Sequence, residues 1–545
     1  MTMAERVKLA AGVQSRPGPA VATHWLLGAD ERGNDATDLD RRHDAGLAWT
    51  SGNRVTPLVH GTAYFSELVD VITGTRAGDL LLFTDWRGDP DERLGGPHTE
   101  VSRMLCEAAT RGVLVRGLVW RSHWDRFKFS ASENRHLGDE IEAAGGKCLR
   151  DMRIRAGGSH HQKVVVVRHP GDPGRDVAYV GGIDLCHSRR DDVRHRGDRQ
   201  PQSIAPEYGE HPPWHDIQLA IRGPAVGDVE ASFRERWNDP SPLSRNPIAR
   251  LHDLLEREDT HAGVLPPQLP DPPPPPAKRG DGRQIVQVLR TYPYRRRGYP
   301  FAPGGERSIA RAYSKAVGLA QSLIYVEDQY LWSSQVVRSL ADALAASAQL
   351  RVIAVVPLHP DQDGLGGAVQ IIGRTQALTV LRAAGGDRFA LYGLENRHGT
   401  PVYVHAKACV IDDTWTCVGS DNLNLRSWTH DSELSCAVID DTRRRGDGFG
   451  LRLRLTLSRE HLDRADGDDT DLRDPTAASA IFQASAQRLD AWYAAGRPGQ
   501  RPPGRLRTYR LPALSTREKL LARPIYRLFA DPDGRPRALR RQQQF

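Results

Sequence analysis

Two short segments, far apart in a chain of 545 residues, carry the same reactive groups. One reads Gly158-Ser159-His160-His161-Gln162-Lys163, runs on through Val164–Val167, and is followed later by Gly181-Gly182-Ile183-Asp184. The other reads His405-Ala406-Lys407, runs on through Ala408–Ile411 to Asp412, and is followed by Gly419-Ser420-Asp421-Asn422. Side chains two apart in an extended strand share a face. Each segment is therefore expected to present an imidazole beside an ammonium: His161 with Lys163, and His405 with Lys407. Brought face to face, these four groups would surround one phosphate, and the lysines would offset the charge that builds up in a transition state. One imidazole can attack phosphorus, while the other protonates the leaving alcohol and later takes a proton from entering water. The intermediate would be a phosphohistidine, and an alcohol in place of water would turn hydrolysis into transfer. This chemistry calls for no cofactor and no metal, and a lysine beside each histidine makes a poor metal ligand.

An attacking imidazole needs its second nitrogen engaged, so that one tautomer is fixed. Acids follow both motifs: Asp191 is the expected partner of His161, and Glu433 the expected partner of His405. Exposed ion pairs with Arg189, Arg190 or Arg426 are the other reading of these two acids.

Both segments sit late in similar series of elements. A helical pattern leads to a strand at Leu80–Trp86 in one half, and at Leu323–Glu327 in the other after Ile309, Ala312, Tyr313, Ala316, Val317 and Ala320 at helical spacing. Further strands are expected at Val113–Trp120 and Leu350–Val356. Strands alternating with helices indicate α/β layering, and the shared order indicates an internal repeat. Five consecutive prolines, Pro272–Pro276, lie in a run that can sustain neither helix nor sheet and reads as an extended spacer. The expected divisions are an N-terminal extension (1–54), a first half (55–264), a linker (265–284), a second half (285–496) and a basic, peripheral tail (497–545). The segment Trp214–Asn238 reads as a half-buried strand and a helix explained by packing.

The net charge of +7 favours anionic partners, nucleic acid or phospholipid headgroups, without choosing between them. The six cysteines form no CxxC pair and call for no zinc site or disulfide. There is no signal-peptide pattern and no apolar run long enough to span a bilayer. A nucleotide P-loop, a dinucleotide-binding glycine fingerprint and a serine-hydrolase elbow are all absent. The expected location is the cytoplasm, peripheral at a membrane. Trp86, Trp120, Trp124, Trp332 and Trp428 are candidates for the mouth of a site, with core packing as the alternative.

These residues resemble the phospholipase D superfamily. His405, Lys407, Asp412, Gly419, Ser420 and Asn422 match its second motif, and His161 and Lys163 match its first, with Gly181-Gly182-Ile183-Asp184 following. Ile324–Tyr330 and Trp214–Asn238 extend the likeness. The resemblance implies two α/β/α sandwich halves related by a pseudo-two-fold axis, with one active site between them. It also implies His161 as nucleophile and His405 as general acid and base, with Lys163 and Lys407 catalytic and Asp184, Asp191, Asp412, Ser420, Asn422 and Glu433 supporting. The implied function is that of a phospholipase D on glycerophospholipids, releasing phosphatidate and a headgroup alcohol. A cardiolipin synthase-like phosphatidyltransferase, a nuclease and a non-catalytic phosphate-binding protein are the alternatives. The expected substrate is a phospholipid at a membrane surface, met by a monomer with no obligate protein partner. One position departs from the pattern. Arg168 stands where the first motif carries an acid, and the odd offset from His161 points its side chain away from the histidine face.

Overall fold

A computed structural model describes residues 18–43, 46–122, 131–244, 246–255, 259–276, 283–441 and 447–545. Trp124 lies outside the described residues. The first half supplies β1 (Thr50–Val59), β2 (Leu80–Asp85), β3 (Leu114–Trp120), β4 (Lys147–Asp151), β5 (Val164–Arg168), β6 (Val177–Gly181), β7 (Trp214–His215) and β8 (Ile217–Arg222). The second supplies β9 (Gln284–Tyr292), β10 (Glu306–Arg307), β11 (Leu323–Glu327), β12 (Arg351–Val355), β13 (Phe389–Glu395), β14 (Pro401–Val404), β15 (Ala408–Ile411), β16 (Trp415–Gly419), β17 (Glu433–Asp440) and β18 (Leu506–Thr508).

Strand pairing makes the repeat explicit. The first sheet runs β4-β3-β2-β5-β6-β8-β1, and the second runs β13-β12-β11-β15-β16-β17-β9. In each, the first three strands are parallel and the rest antiparallel. β1 and β9 pair antiparallel with each other, so the two sheets join at the pseudo-two-fold axis. The Asn53 side chain pins this seam: its amide nitrogen donates to the Thr50 and Gln284 carbonyls, and its oxygen accepts from Ala225 N–H.

Valine-rich β5 is buried on both faces, as a β-branched run between two covering layers should be. The outer face of the first sheet packs on helices Gly61–Thr73, Val101–Thr110 and Ala131–Ala143. The inner faces of both sheets share one core with helices Ala225–Trp237, Phe449–His461 and Pro475–Ala494. Each fully buried valine or leucine there contributes about 1.5–3 kcal/mol. That shared core leaves the halves no freedom to fold as independent bodies.

One expectation about the periphery, that for the tail, needs correction, and the N-terminal extension and the linker also pack against the halves. Residues of the N-terminal extension pack into the core of the second half through Val21, Trp25, Leu26 and Trp49, and Leu27 exchanges two hydrogen bonds with the Gln287 side chain. The proline-rich linker lies along the first half, with Leu265 in the core and the Pro270 carbonyl on Arg168. The basic tail is not peripheral. β18 pairs with β13, and Ala522 and Tyr526 pack against Trp332 and Ile372. Asp531 caps the turn at Leu425 and Arg426 by accepting both N–H groups, at 2.6 and 3.1 Å.

Arg168 is fully buried and faces away from His161. It bonds Asp176 at 2.7 Å and pairs with Glu230. Its counterpart Asp412 also lies away from the histidines: its carboxylate accepts from the N–H groups of Gln321, Ser322 and Leu323 at the start of β11. Asp412 is therefore not a supporting site residue: it lies one position past β15, and its carboxylate is taken up by the backbone that enters β11. Removing one partner from a buried ion pair costs about 3–5 kcal/mol. Arg168→Ala should lower the free energy of unfolding by that order, read as a lower urea midpoint, and Arg168→Asp, which restores the family's acid, should lower the midpoint further by clustering three carboxylates. An unchanged midpoint in the aspartate variant would contradict this reading.

Candidate active site

The His-x-Lys groups are not inside strands; each triplet forms the extended approach to one, β5 or β15. The approach segments are held by the opposite half. His161 N–H donates to the Ser432 carbonyl at 2.9 Å, and His160 bridges Ser432 in parallel register. His405 N–H donates to the His215 carbonyl at 2.8 Å, where β14 runs parallel to β7. Each histidine strap thus runs alongside the other half's acid-bearing segment and is tied to it by backbone hydrogen bonds.

This exchange crosses the carboxylates. His161 Nδ1 meets Glu433 at 2.9 Å, and His405 Nδ1 meets Asp216 at 2.6 Å. Both expected pairings are therefore corrected. Glu433 serves His161 rather than His405, because the start of β17 lies against the first strap. Asp191 serves neither: its carboxylate accepts from the N–H groups of Trp214 and Asp192. Asp216, in a segment expected only to pack, holds His405. The signal for Asp216 was its place immediately before β8, whose counterpart in the order of the second sheet, β17, begins at Glu433. The Gly181-Gly182 turn makes room for it, since a Cβ on Gly182 would sit 2.2 Å from the Asp216 carboxylate.

With both Nδ1 atoms engaged, both Nε2 atoms are left for chemistry. Burial holds both rings well below the usual imidazole range; Lys163 and Lys407 add to this at His161, and Lys407 and Arg189 at His405. Lys163 adds a smaller push in the same direction at His405, so both lysine charges act on both rings. Lys163 donates to the His161 carbonyl at 2.9 Å and pairs with Asp184 at 3.4 Å. Burial and the Asp184 charge push Asp85 well above the ordinary carboxyl range, so the two acids share a proton. Lys407 donates to Gln329 Oε1 at 3.2 Å, and burial lowers it to about 8. Ser420 donates to Glu433 at 2.6 Å, and burial raises Glu433 to about 8. Asn422, two residues after Ser420, is buried and its Oδ1 has no hydrogen-bond partner.

Of the candidate tryptophans, Trp86 lies edge-on to His161 at 6.3 Å and stacks on buried Trp120. Trp332 and Trp428 are core residues. Trp214, which sequence reasoning left to packing, lies 5.1 Å from the His405 ring and carries Arg189 on its face.

The crossing is testable by histidine titration in isotope-labelled protein. Glu433→Gln should perturb the His161 ring resonances, through the Nδ1 contact, and leave those of His405 unmoved, while Asp216→Asn should do the reverse. Asp191→Asn should move neither ring directly. A response of His405 to Glu433→Gln, with His161 unmoved, would overturn the crossed assignment.

Comparison with known proteins places this geometry. Residues 100–261 match a family described as phospholipase D, and residues 314–444 match one described as cardiolipin synthase, PLD-like domain. The chain is 25% identical to phospholipase D alpha 1 of Vigna unguiculata over 74% of its own length and 65% of that protein's, just under two thirds. It is 24% identical to phospholipase D alpha 2 of Oryza sativa subsp. japonica, over 83% of this chain and 70% of that protein. Its fold is similar to that of phosphatidylserine synthase from Haemophilus influenzae Rd KW20, with a TM-score of 0.50 at 11% identity over 81% of this chain and 95% of that one. The two matched stretches together exceed half of the chain and fall one in each half of the repeat. With its paired sheets and two His-x-Lys straps, the chain belongs to the phospholipase D superfamily.

Proposed function

We propose that this protein is a phosphodiesterase of the phospholipase D type, acting on glycerophospholipids to give phosphatidate and a free headgroup alcohol. The observation that carries the reading is the crossed pair of carboxylate-held imidazoles, both with Nε2 free and both within reach of two lysine charges. His161 is the nucleophile: its side chain is 17% exposed against 6% for His405, so it is the more open to an entering phosphate. Its Nε2 lone pair forms the P–N bond as the P–O bond to the headgroup breaks. His405 Nε2–H gives its proton to the leaving oxygen, and Asp216 stabilises the ring while it is charged. In the second step His405 takes the proton of a water whose oxygen attacks phosphorus, and the P–N bond breaks. The bound phosphate offsets the two lysines and so lifts His405 towards its protonated form. Lys163, Lys407 and the Asn422 amide bind the equatorial oxygens. Asp184 and Ser420 are positioning residues, on Lys163 and Glu433.

An alcohol acceptor in place of water gives phosphatidyl transfer by the same route. The match of the second half to the cardiolipin synthase-like family favours keeping that reaction in view. No helix among the described residues is long and apolar enough to cross a membrane, so the proposed meeting with lipid is at a surface.

The assay sets phosphatidylcholine, phosphatidylcholine plus a primary alcohol, and plasmid DNA side by side. Choline release should depend on both rings, with His161→Ala and His405→Ala each losing at least about 10³-fold. Release that survives in both variants would remove the two-histidine mechanism, and cleavage of DNA alone would move the substrate class.

The pH profile follows from the two shifted groups. Raised Glu433 keeps a proton below about 8, and as a carboxylic acid it would donate to Nδ1 and leave Nε2 protonated. Lowered Lys407 loses its charge above about 8. Log kcat/KM should therefore rise towards pH 8 and fall beyond it, as a property of the coupled site. Glu433→Gln should flatten the acid limb and lower the plateau by roughly 10²-fold or more. An acid limb that persists unchanged in that variant would contradict the assignment.

A further inference from the structure

A second cluster of reactive side chains lies directly behind His405. Four buried histidines, His60, His195, His215 and His461, gather with Glu327 and Glu460 where the halves meet. His60, His195 and His215 come from the first half; Glu327 ends β11, and Glu460 and His461 end the helix Phe449–His461. Three imidazole nitrogens converge on one carboxylate. His60 Nε2 and His195 Nε2 each lie 2.8 Å from Glu460, and His215 Nδ1 lies 3.5 Å from it. One donor atom from each of these four residues lies within 4.8 Å of all the others.

Hydrogen bonding argues for a cation among them. His195 Nδ1 meets the Trp214 carbonyl at 3.1 Å, and a carbonyl can only accept, so that nitrogen carries the proton. In the neutral ring, Nε2 would then aim a lone pair at the Glu460 carboxylate, which is repulsive unless a positive charge intervenes. His215 presents the same arrangement: Nε2 is held by Glu327 at 2.6 Å, while Nδ1 faces Glu460 with no hydrogen bond. Arg505 stands 3.9 Å from Glu460 but is paired with Asp463 at 2.9 Å, so the two buried carboxylates Glu327 and Glu460 still call for compensating charge. Extra imidazole protons can supply it, and so can one divalent ion.

Three features select the ion. Three nitrogens and one carboxylate oxygen form a zinc-type donor set, with bonds of about 2.0–2.2 Å. The remaining nitrogens of His195 and His215 rest on a carbonyl and a carboxylate, the outer contacts that orient metal-bound histidines. His60 and His195 hold left-handed backbone, with φ of 69° and 51°, where residues other than glycine are seldom found.

We propose that His60, His195, His215 and Glu460 bind one zinc-type divalent cation that pins the two halves together behind His405. The site is structural and takes no part in the phosphorus chemistry. Its link to that chemistry is positional: the His215 carbonyl receives the N–H groups of His405 and Ala406 at 2.8 and 3.1 Å, and the next residue, Asp216, holds the His405 ring.

The full chain, stripped with a chelator, incubated with zinc sulfate and desalted, should retain about one zinc per chain by elemental analysis. Zinc should raise its melting temperature, since a ligand of the folded state stabilises it. Retention should persist when His161 and His405 are both replaced by Asn. It should fall at least tenfold in His195→Gln and in Glu460→Gln. Should those two variants fail to fold, the wild-type chain decides: no retained zinc and no thermal shift overturns the proposal. Zinc that is lost with His161 and His405, or kept by folded His195→Gln and Glu460→Gln proteins, overturns it equally.

Discussion

The structure depends on an exchange of acids between two halves. Each half carries a histidine strap that it cannot orient alone, and each supplies the carboxylate that orients the other's ring: Glu433 for His161 and Asp216 for His405. Neither imidazole has a fixed tautomer unless the halves are docked. The symmetry is therefore a condition of the chemistry as well as a trace of repetition. The rest of the fold makes that docking permanent. β1 and β9 fuse the sheets into one, and a single hydrophobic core runs beneath both. The buried ion pair of Arg290 with Glu235 ties the halves again outside the site, with Glu306 holding the same guanidinium from within the second half.

The two-fold is imperfect, and the imperfections divide the labour. His161 is more exposed than His405, and its acid is a glutamate reinforced by Ser420, while the acid of His405 is an aspartate seated over a glycine turn. Burial and both lysines keep the rings neutral until an anion arrives. Such a site is poised: its proton inventory changes when phosphate enters, which is when a nucleophile and an acid are needed.

Much of this was legible in the chain. The His-x-Lys spacing, the glycine turns and the order of strands are local signals, and the strands at Leu80–Asp85, Leu323–Glu327 and Arg351–Val355 fall where the apolar runs predict them. The odd offset of Arg168 from His161 places it away from the rings, where it is paired with Asp176 and Glu230. The acids were misassigned because proximity in sequence is the wrong guide: the partner of each ring is chosen by strand exchange between halves, a tertiary event. Asp191 is near the first motif, yet it is consumed by backbone amides. Asp216 looked like the edge of a packing strand because nothing in one half alone reveals the ring it faces. The tail was misread for a related reason. Its arginines and prolines hide a few apolar anchors, Ala522 and Tyr526, whose value depends on the groove at Trp332 that receives them.

The central claim is that the two rings act in sequence on one phosphorus, with His161 taking the phosphoryl group. The most direct measurement is rapid acid-free quenching of a His405→Asn variant with a phospholipid bearing an activated leaving group, followed by peptide mass spectrometry. Without its base for water, that variant should accumulate a phosphatidyl adduct on the His161 peptide, stable to base and labile to acid. An adduct on any other residue, or stoichiometric leaving-group release with no adduct, would contradict the account.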